Sequence, residues 1–188
     1  MCFDLHQNLI ICHLTQGNHA EAEKFFELTL KNARGIYDKY PLYIQKIDFY
    51  MQQFNIREAL KSGLDALKLF KINIPMKPSK LQLFWERMKL EMRLARGLKK
   101  LENLPDLKDP QGMAICSIFS PLLLPALPSG SAISQYIILK HLNLSLSYGI
   151  GPHSALAFVS YALFLASQKV QAYHKAIDFS LLYEKFED

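Results

Sequence analysis

The feature that most constrains the fold is a motif that occurs twice. Asn18-His19-Ala20-Glu21-Ala22 and Asn55-Ile56-Arg57-Glu58-Ala59 both read Asn-x-x-Glu-Ala, at an offset of 37 residues. Asparagine is a helix N-cap: its side-chain oxygen accepts from a backbone N–H that the first turn leaves unpaired. A glutamate three residues on reaches back to the cap's own N–H, which closes a capping box. The alanine that follows lets a second helix approach closely. Apolar-periodic stretches precede the copies, Phe3–Leu14 and Leu42–Gln53, and helical runs follow them, Glu23–Ala33 and Leu60–Phe70. A helix, a short turn and a second helix, recurring at this spacing, describe a helical-hairpin repeat.

Residues 17–30 resemble the second half of a tetratricopeptide repeat. Gly17, His19, Ala22, Phe26 and Leu30 stand where that pattern places glycine, an aromatic, alanine, an aromatic and leucine. The first helix lacks the pattern's Trp and Leu-Gly pair, and Gly63 replaces the aromatic in the second copy, so the repeat is degenerate.

Charge divides the rest of the chain. Residues 41–109 hold 14 of the 22 Lys/Arg and 8 of the 17 Asp/Glu, whereas Pro110–Gln168 carries only Lys140 from those four residue types. An apolar stretch of that length belongs in a core or a membrane. Met113–Pro128 is interrupted by Pro121, Pro125 and Pro128, and Ala132–Leu146 carries Lys140 and His141 near its middle. Ala155–Ala166 falls short of the ~20 apolar residues a bilayer needs. The expectation is therefore a buried helical layer and no membrane partner.

Local signals place the remaining elements. Ile74-Pro75-Met76-Lys77-Pro78 ends a helix, and Ser79-x-x-Gln82 opens one over Ser79–Leu101. Leu104–Pro110 is a second break, with Asp109 as N-cap and Pro110 at the first helical position. Then follow a broken helix over Gln111–Leu127, one over Ser131–Tyr148, a stop at Gly149-Ile150-Gly151-Pro152, one over His153–Ser167 and one over Val170–Phe186. Gln168-x-x-Gln171-Ala172 stands where the earlier copies have Asn-x-x-Glu-Ala. No segment alternates as a strand does. The fold class read from these signals is all-α: tetratricopeptide-like antiparallel hairpins stacked in a superhelix of about eight or nine helices. It forms a single domain over 1–188, with two degenerate hairpins in 1–72 and further helices in 79–188.

Motifs for catalysis are missing. The chain has no phosphate-cradling Gly-x-x-x-x-Gly-Lys-Ser/Thr, no His-Arg-Asp, no Asp-Phe-Gly and no Gly-x-Ser-x-Gly. Gly149-Ile150-Gly151 lacks the third glycine of a dinucleotide loop and follows a helix, so it reads as a helix stop. Cys2, His6, Cys12 and His13 lie close in sequence, without the paired spacing that zinc sites use. Three cysteines form no disulfide framework and suit a reducing, cytoplasmic compartment. Cys116 lies in an apolar run, where cysteine acts as a small hydrophobe. His141, His153 and His174 are candidate general bases, but nothing in the sequence pairs any of them with a nucleophile, and they read as helix-surface or capping residues. The expectation is a non-enzyme that takes no cofactor and no metal. One face of Ser79–Leu101 gathers Lys89, Arg93, Arg96 and Lys100, with Trp85 near its edge. That basic face is the candidate interaction surface; the alternative is an ordinary solvated helix face, diluted by Glu86 and Glu91, and no nucleic-acid-binding fold accompanies it.

Three segments carry a broader resemblance: Ala66–Pro75, Leu104–Pro110 and Ser147–Ala155. In order and spacing they resemble the helical region of multi-sensor signal-transduction kinases. Those proteins join a serine/threonine kinase, a STAND-type (AAA-like) ATPase, tetratricopeptide-like helices and often a GAF sensor and a histidine kinase. The likeness runs from about Tyr40 to Phe186. It implies a protein-interaction or sensory region whose partners are neighbouring kinase and ATPase modules or a protein ligand. No catalytic residue carries over, because none of the catalytic motifs is present. A free-standing adaptor that holds a peptide is the alternative. If part of Pro110–Gln168 is exposed, it marks a contact with further domains or a second copy, as in a homodimer.

Overall fold

A computed structural model describes residues 9–10, 18–95 and 104–168. The chain is all-α: among the described residues there are seven helices and no strand. They are α1 (His19–Asn32), α2 (Ile36–Gln52), α3 (Ile56–Leu69), α4 (Lys80–Leu94), α5 (Pro110–Ala126), α6 (Ser131–Tyr148) and α7 (Ser154–Gln168). The helices expected over Phe3–Leu14 and Val170–Phe186 lie outside the described residues, as does Gln171-Ala172. The chain divides into two compact units, Met1–Ile72 and Asn73–Asp188.

In the first unit, α1 and α3 open on the repeated asparagines, and Asn18 and Asn55 share one backbone conformation (φ −86°, ψ 70°). Both motif alanines, Ala22 and Ala59, are fully buried, in a core with Phe26, Leu42, Ile47, Phe49 and Tyr50. The rings of Phe26 and Phe49 lie 5.6 Å apart. The reciprocal capping box is not formed in either copy. Asn55 accepts from the Glu58 N–H, but its own N–H already donates to the Tyr50 carbonyl at 2.8 Å. Glu58 has no donor to reach back to and meets Lys61 instead, as Glu21 meets Lys24. Asn18 makes no side-chain capping bond.

The bond from Asn55 to Tyr50 belongs to the device that ends α2. Phe54 N–H donates to Met51 and Asn55 N–H to Tyr50, with Phe54 at φ 57°. This pairing is the Schellman helix stop, whose left-handed position usually holds glycine. Helix α3 ends the same way: Lys71 (φ 61°) bonds Lys68 and Ile72 bonds Leu67. A Cβ in this conformation costs about 1 kcal/mol or more. Phe54 is 89% exposed and loses little burial when truncated. Phe54→Gly is therefore expected to stabilise the first unit by about 1 kcal/mol, read from the urea midpoint.

The second unit is arranged about α6, which packs against α4, α5 and α7. Neighbours on several sides explain its sequence: Ile133, Tyr136, Ile137, Ile138, Leu139 and Leu142 are all buried, so no single apolar stripe is needed. Helix α4 opens on the Ser79/Gln82 capping box, with bonds of 2.9 and 3.2 Å. Asp109 caps α5 by accepting from Gly112 N–H at 2.7 Å.

Helix α5 is continuous, where a break was expected. Pro121 removes the donor for the Ser117 carbonyl, and Pro125 the donor for the Pro121 carbonyl. Those carbonyls are one turn apart on the same side, and Ser117 and Pro121 are both half-buried at the helix margin. The two losses fall on one side, and the helix runs on through both prolines to Ala126.

Candidate functional site

Polar groups that the sequence scatters are gathered in the second unit at three places. The first is the contact between α4 and α6. Glu86 sits on the same side of α4 as Leu90, and both are buried. Its Oε1 accepts from Lys89 and from Lys140, each at 3.1 Å. Its Oε2 and its backbone carbonyl accept from Asn143 Nδ2 at 3.2 and 2.9 Å. Burial by itself would raise the Glu86 pKa; the bonds and charges of Lys89 and Lys140 outweigh it and hold the carboxyl below its ordinary value. Two turns on from Glu86, Arg93 Nη1 donates to the Asn143 carbonyl and, at 2.5 Å, to Ser147 Oγ.

This geometry revises the basic face. Arg93 is turned onto α6 and does not stand in a row of solvent-facing cations. Lys89 remains exposed at the edge of the ion-paired cluster. Arg96 and Lys100 lie outside the described residues. Glu86, read from sequence as a diluting charge, is the centre of the contact. The signal that could have found it was Lys140: a single charge in a long apolar stretch needs a counter-charge if it is to be buried.

The second place is the interior between α5, α6 and α7. His141 has no exposed surface, so it is not a helix-surface residue. Its ring stacks on Phe119 with centroids 4.9 Å apart and planes 7° from parallel. Neither ring nitrogen has a hydrogen-bond partner. Burial, with a smaller contribution from His153, lowers its pKa to about 3, so the ring is neutral. Cys116 is also buried, with Sγ 4.0 Å from Ser145 Oγ, and burial pushes its thiol pKa up. That is the environment of an inert structural thiol. With Cys2 and Cys12 replaced by serine, Cys116 is expected to react with a thiol reagent only as fast as the second unit opens, a rate that urea below the unfolding transition will raise.

His153 does have a hydroxyl beside it, contrary to the sequence reading: Ser120 Oγ lies 3.0 Å from His153 Nδ1. A serine next to a neutral histidine is the first half of an activated nucleophile. The rest of that machinery is not placed around the pair among the described residues. Among the described residues no carboxylate bonds His153 to orient it. Ser120 lies within α5, where backbone N–H groups are used by the helix, and the next residue, Pro121, has no N–H to offer an oxyanion. The pair joins α5 to the start of α7.

The third place is a backbone latch. Leu107 N–H donates to the Ile150 carbonyl at 2.7 Å, and Ile150 N–H to the Pro105 carbonyl at 2.9 Å. Asp106 and Ile150 thus form an isolated parallel bridge. Two of the three segments that carry the kinase-region resemblance, Leu104–Pro110 and Ser147–Ala155, meet here. Gly149-Ile150-Gly151 serves as a helix stop, and Ser154 Oγ accepts from Gly151 N–H at 3.1 Å as α7 begins.

Among the described residues no group of three or more His, Cys, Asp or Glu is placed to hold a metal ion. None of the described helices is long and apolar enough to cross a membrane. Cys2, His6, Cys12, His13 and His174 lie outside the described residues. Compared with protein-family models, curated proteins and solved structures, the chain matches none.

Proposed function

We propose that this chain is a non-catalytic helical-repeat region that binds proteins, within or beside a large signal-transduction kinase with a STAND-type ATPase. The observation that carries the reading is the duplicated helix start. Asn18 and Asn55 adopt one conformation, and each motif alanine is buried against a neighbouring helix. A recurring hairpin unit is how repeat proteins build extended binding surfaces. The latch between Leu104–Pro110 and Gly149–Gly151 gives two of the resemblance segments a common structural role, which supports treating them as one pattern. In this reading the hairpins stack as tetratricopeptide-like repeats, the protein acts in the cytoplasm, and binding at the helical surface biases an adjoining ATPase or kinase between states.

The test is the native gene product. An antibody raised against this chain, used with the sequence of the reading frame on both sides, gives the size and content of the native polypeptide. Kinase or ATPase motifs in the same frame support the module reading. A native product of only this length, with no such motifs in frame, overturns it and leaves a free-standing adaptor.

A further inference from the structure

Helix α4 carries its apolar stripe on the side away from α6. Leu81, Trp85, Met88 and Met92 are spaced four, three and four residues apart, and Phe84 lies beside Trp85. At 100° per residue these five fall within about a third of the helix circumference. Leu81 is 64% exposed, Trp85 55% and Met92 59%, and Phe84 and Met88 are exposed too. The opposite side, with Glu86 and Leu90, makes the contact with α6. The side that meets α6 buries Leu90 beside the ion-paired cluster, and a second apolar face of aromatic and thioether side chains is left to water. A contiguous apolar strip of this kind marks a binding surface.

Spacing and charge indicate the occupant. A four-three-four seam is what the knobs of a second helix require, and methionines let such a surface repack around different side chains. The flanks of the stripe are basic: Lys80 and Arg87 border one edge and Lys89 the other. Helix α4 has two acids. Glu86 is buried and shared between two lysines, and Glu91 lies 4.0 Å from Arg87. The rim therefore carries a net positive charge. A second copy of α4 would set these cations against their own kind, whereas glutamates flanking an apolar seam would complement them.

We propose that the outer face of α4 is a docking surface for an acidic amphipathic helix of a partner protein, with Leu81, Trp85, Met88 and Met92 as the seam. This rests on the protein-interaction reading above and names its surface and the partner's chemistry. Trp85 is the chain's single tryptophan, so its emission reports the seam directly. The probe is a tryptophan-free synthetic peptide of three heptads, with leucine at a and d and glutamate at e and g, titrated into the full chain. The expected result is a saturable shift of Trp85 emission to shorter wavelength, weakened by added salt. The same peptide with lysine at e and g should give no shift. Met88→Glu/Met92→Glu, at exposed positions, should weaken binding at least tenfold with circular dichroism and thermal midpoint unchanged.

No saturable shift with the acidic peptide overturns the proposal, as does an equal response to the lysine peptide. A shift produced by phosphatidylserine vesicles and not by the peptide overturns it in favour of a lipid surface. A peptide-free shift that grows with protein concentration, alongside dimer formation in light scattering, overturns it in favour of a second copy. Each failure concerns α4 alone; the module reading fails separately, on the content of the native polypeptide.

Discussion

Gly149→Ala is expected to destabilise the second unit by about 3 kcal/mol or more. Two causes add. Gly149 has φ 109° and ψ 179°, a conformation open essentially to glycine alone. A Cβ there would also lie 2.4 Å from the Pro105 carbonyl oxygen. That oxygen is backbone and cannot swing aside, and it accepts the Ile150 N–H that closes the latch. Gly130 separates the two causes. Its φ is 126°, but no atom lies within 4 Å of an added Cβ. Gly130→Ala therefore measures strain alone, about 1–2 kcal/mol, and the excess in Gly149→Ala measures the clash. Urea unfolding followed through Trp85, which lies in the second unit, reports both. Equal losses in the two variants would mean that the latch yields without cost.

Glu86→Ala comes next, with an expected loss of about 3 kcal/mol. The substitution leaves the half-buried Lys140 without its acceptor at the α4–α6 contact, and leaves the buried Asn143 amide with the Glu86 backbone carbonyl alone. Lys140→Met alone should also destabilise, because it removes a partner from a buried carboxylate. Glu86→Leu/Lys140→Met should recover much of the loss, since an apolar pair leaves no charge unmatched. A cycle on these two residues should show coupling of about 1–3 kcal/mol. The pH dependence has a definite sign. The carboxyl of Glu86 is held below its ordinary value in the folded chain. Its stabilising contribution is therefore complete above the unfolded-state value, about 4.3, and is lost as pH falls through the folded value. Wild type should lose stability in that acid window faster than Glu86→Leu/Lys140→Met.

What the sequence could reveal followed from local physics. Helix α6 was legible to the residue as Ser131–Tyr148, because glycines stand immediately outside both ends of an apolar run. Asp109 and Pro110 located the start of α5 for the same kind of reason. Helix stops without glycine were harder: Phe54 and Lys71 hold the left-handed positions, and nothing in their side chains announces it. The polar contacts were not legible. Periodicity assigns a residue to a face but not to a partner, and Glu86 and Lys140 are 54 residues apart. Arg93 shares a face with Lys89 by spacing, yet its longer, forked side chain reaches the Asn143 carbonyl. His141 looked like a surface residue because helices usually have a wet side, and helix packing about α6 leaves none at that position. The exposed apolar face of α4 was not read from the sequence; it stands out only because the structure shows α6 meeting the opposite side.

The central claim is that the nearly uncharged stretch Pro110–Gln168 forms the interior of its own helical unit, built on α6 and presenting α4 outward. Native-state hydrogen exchange, resolved by peptide mass spectrometry, tests this most directly. The account predicts the slowest exchange of the second unit in Ser131–Tyr148, with α5 and α7 next and the first turn of α4 faster. Exchange in Ser131–Tyr148 as fast as in the first turn of α4 would contradict it, because α6 would then not be the element around which the unit is packed.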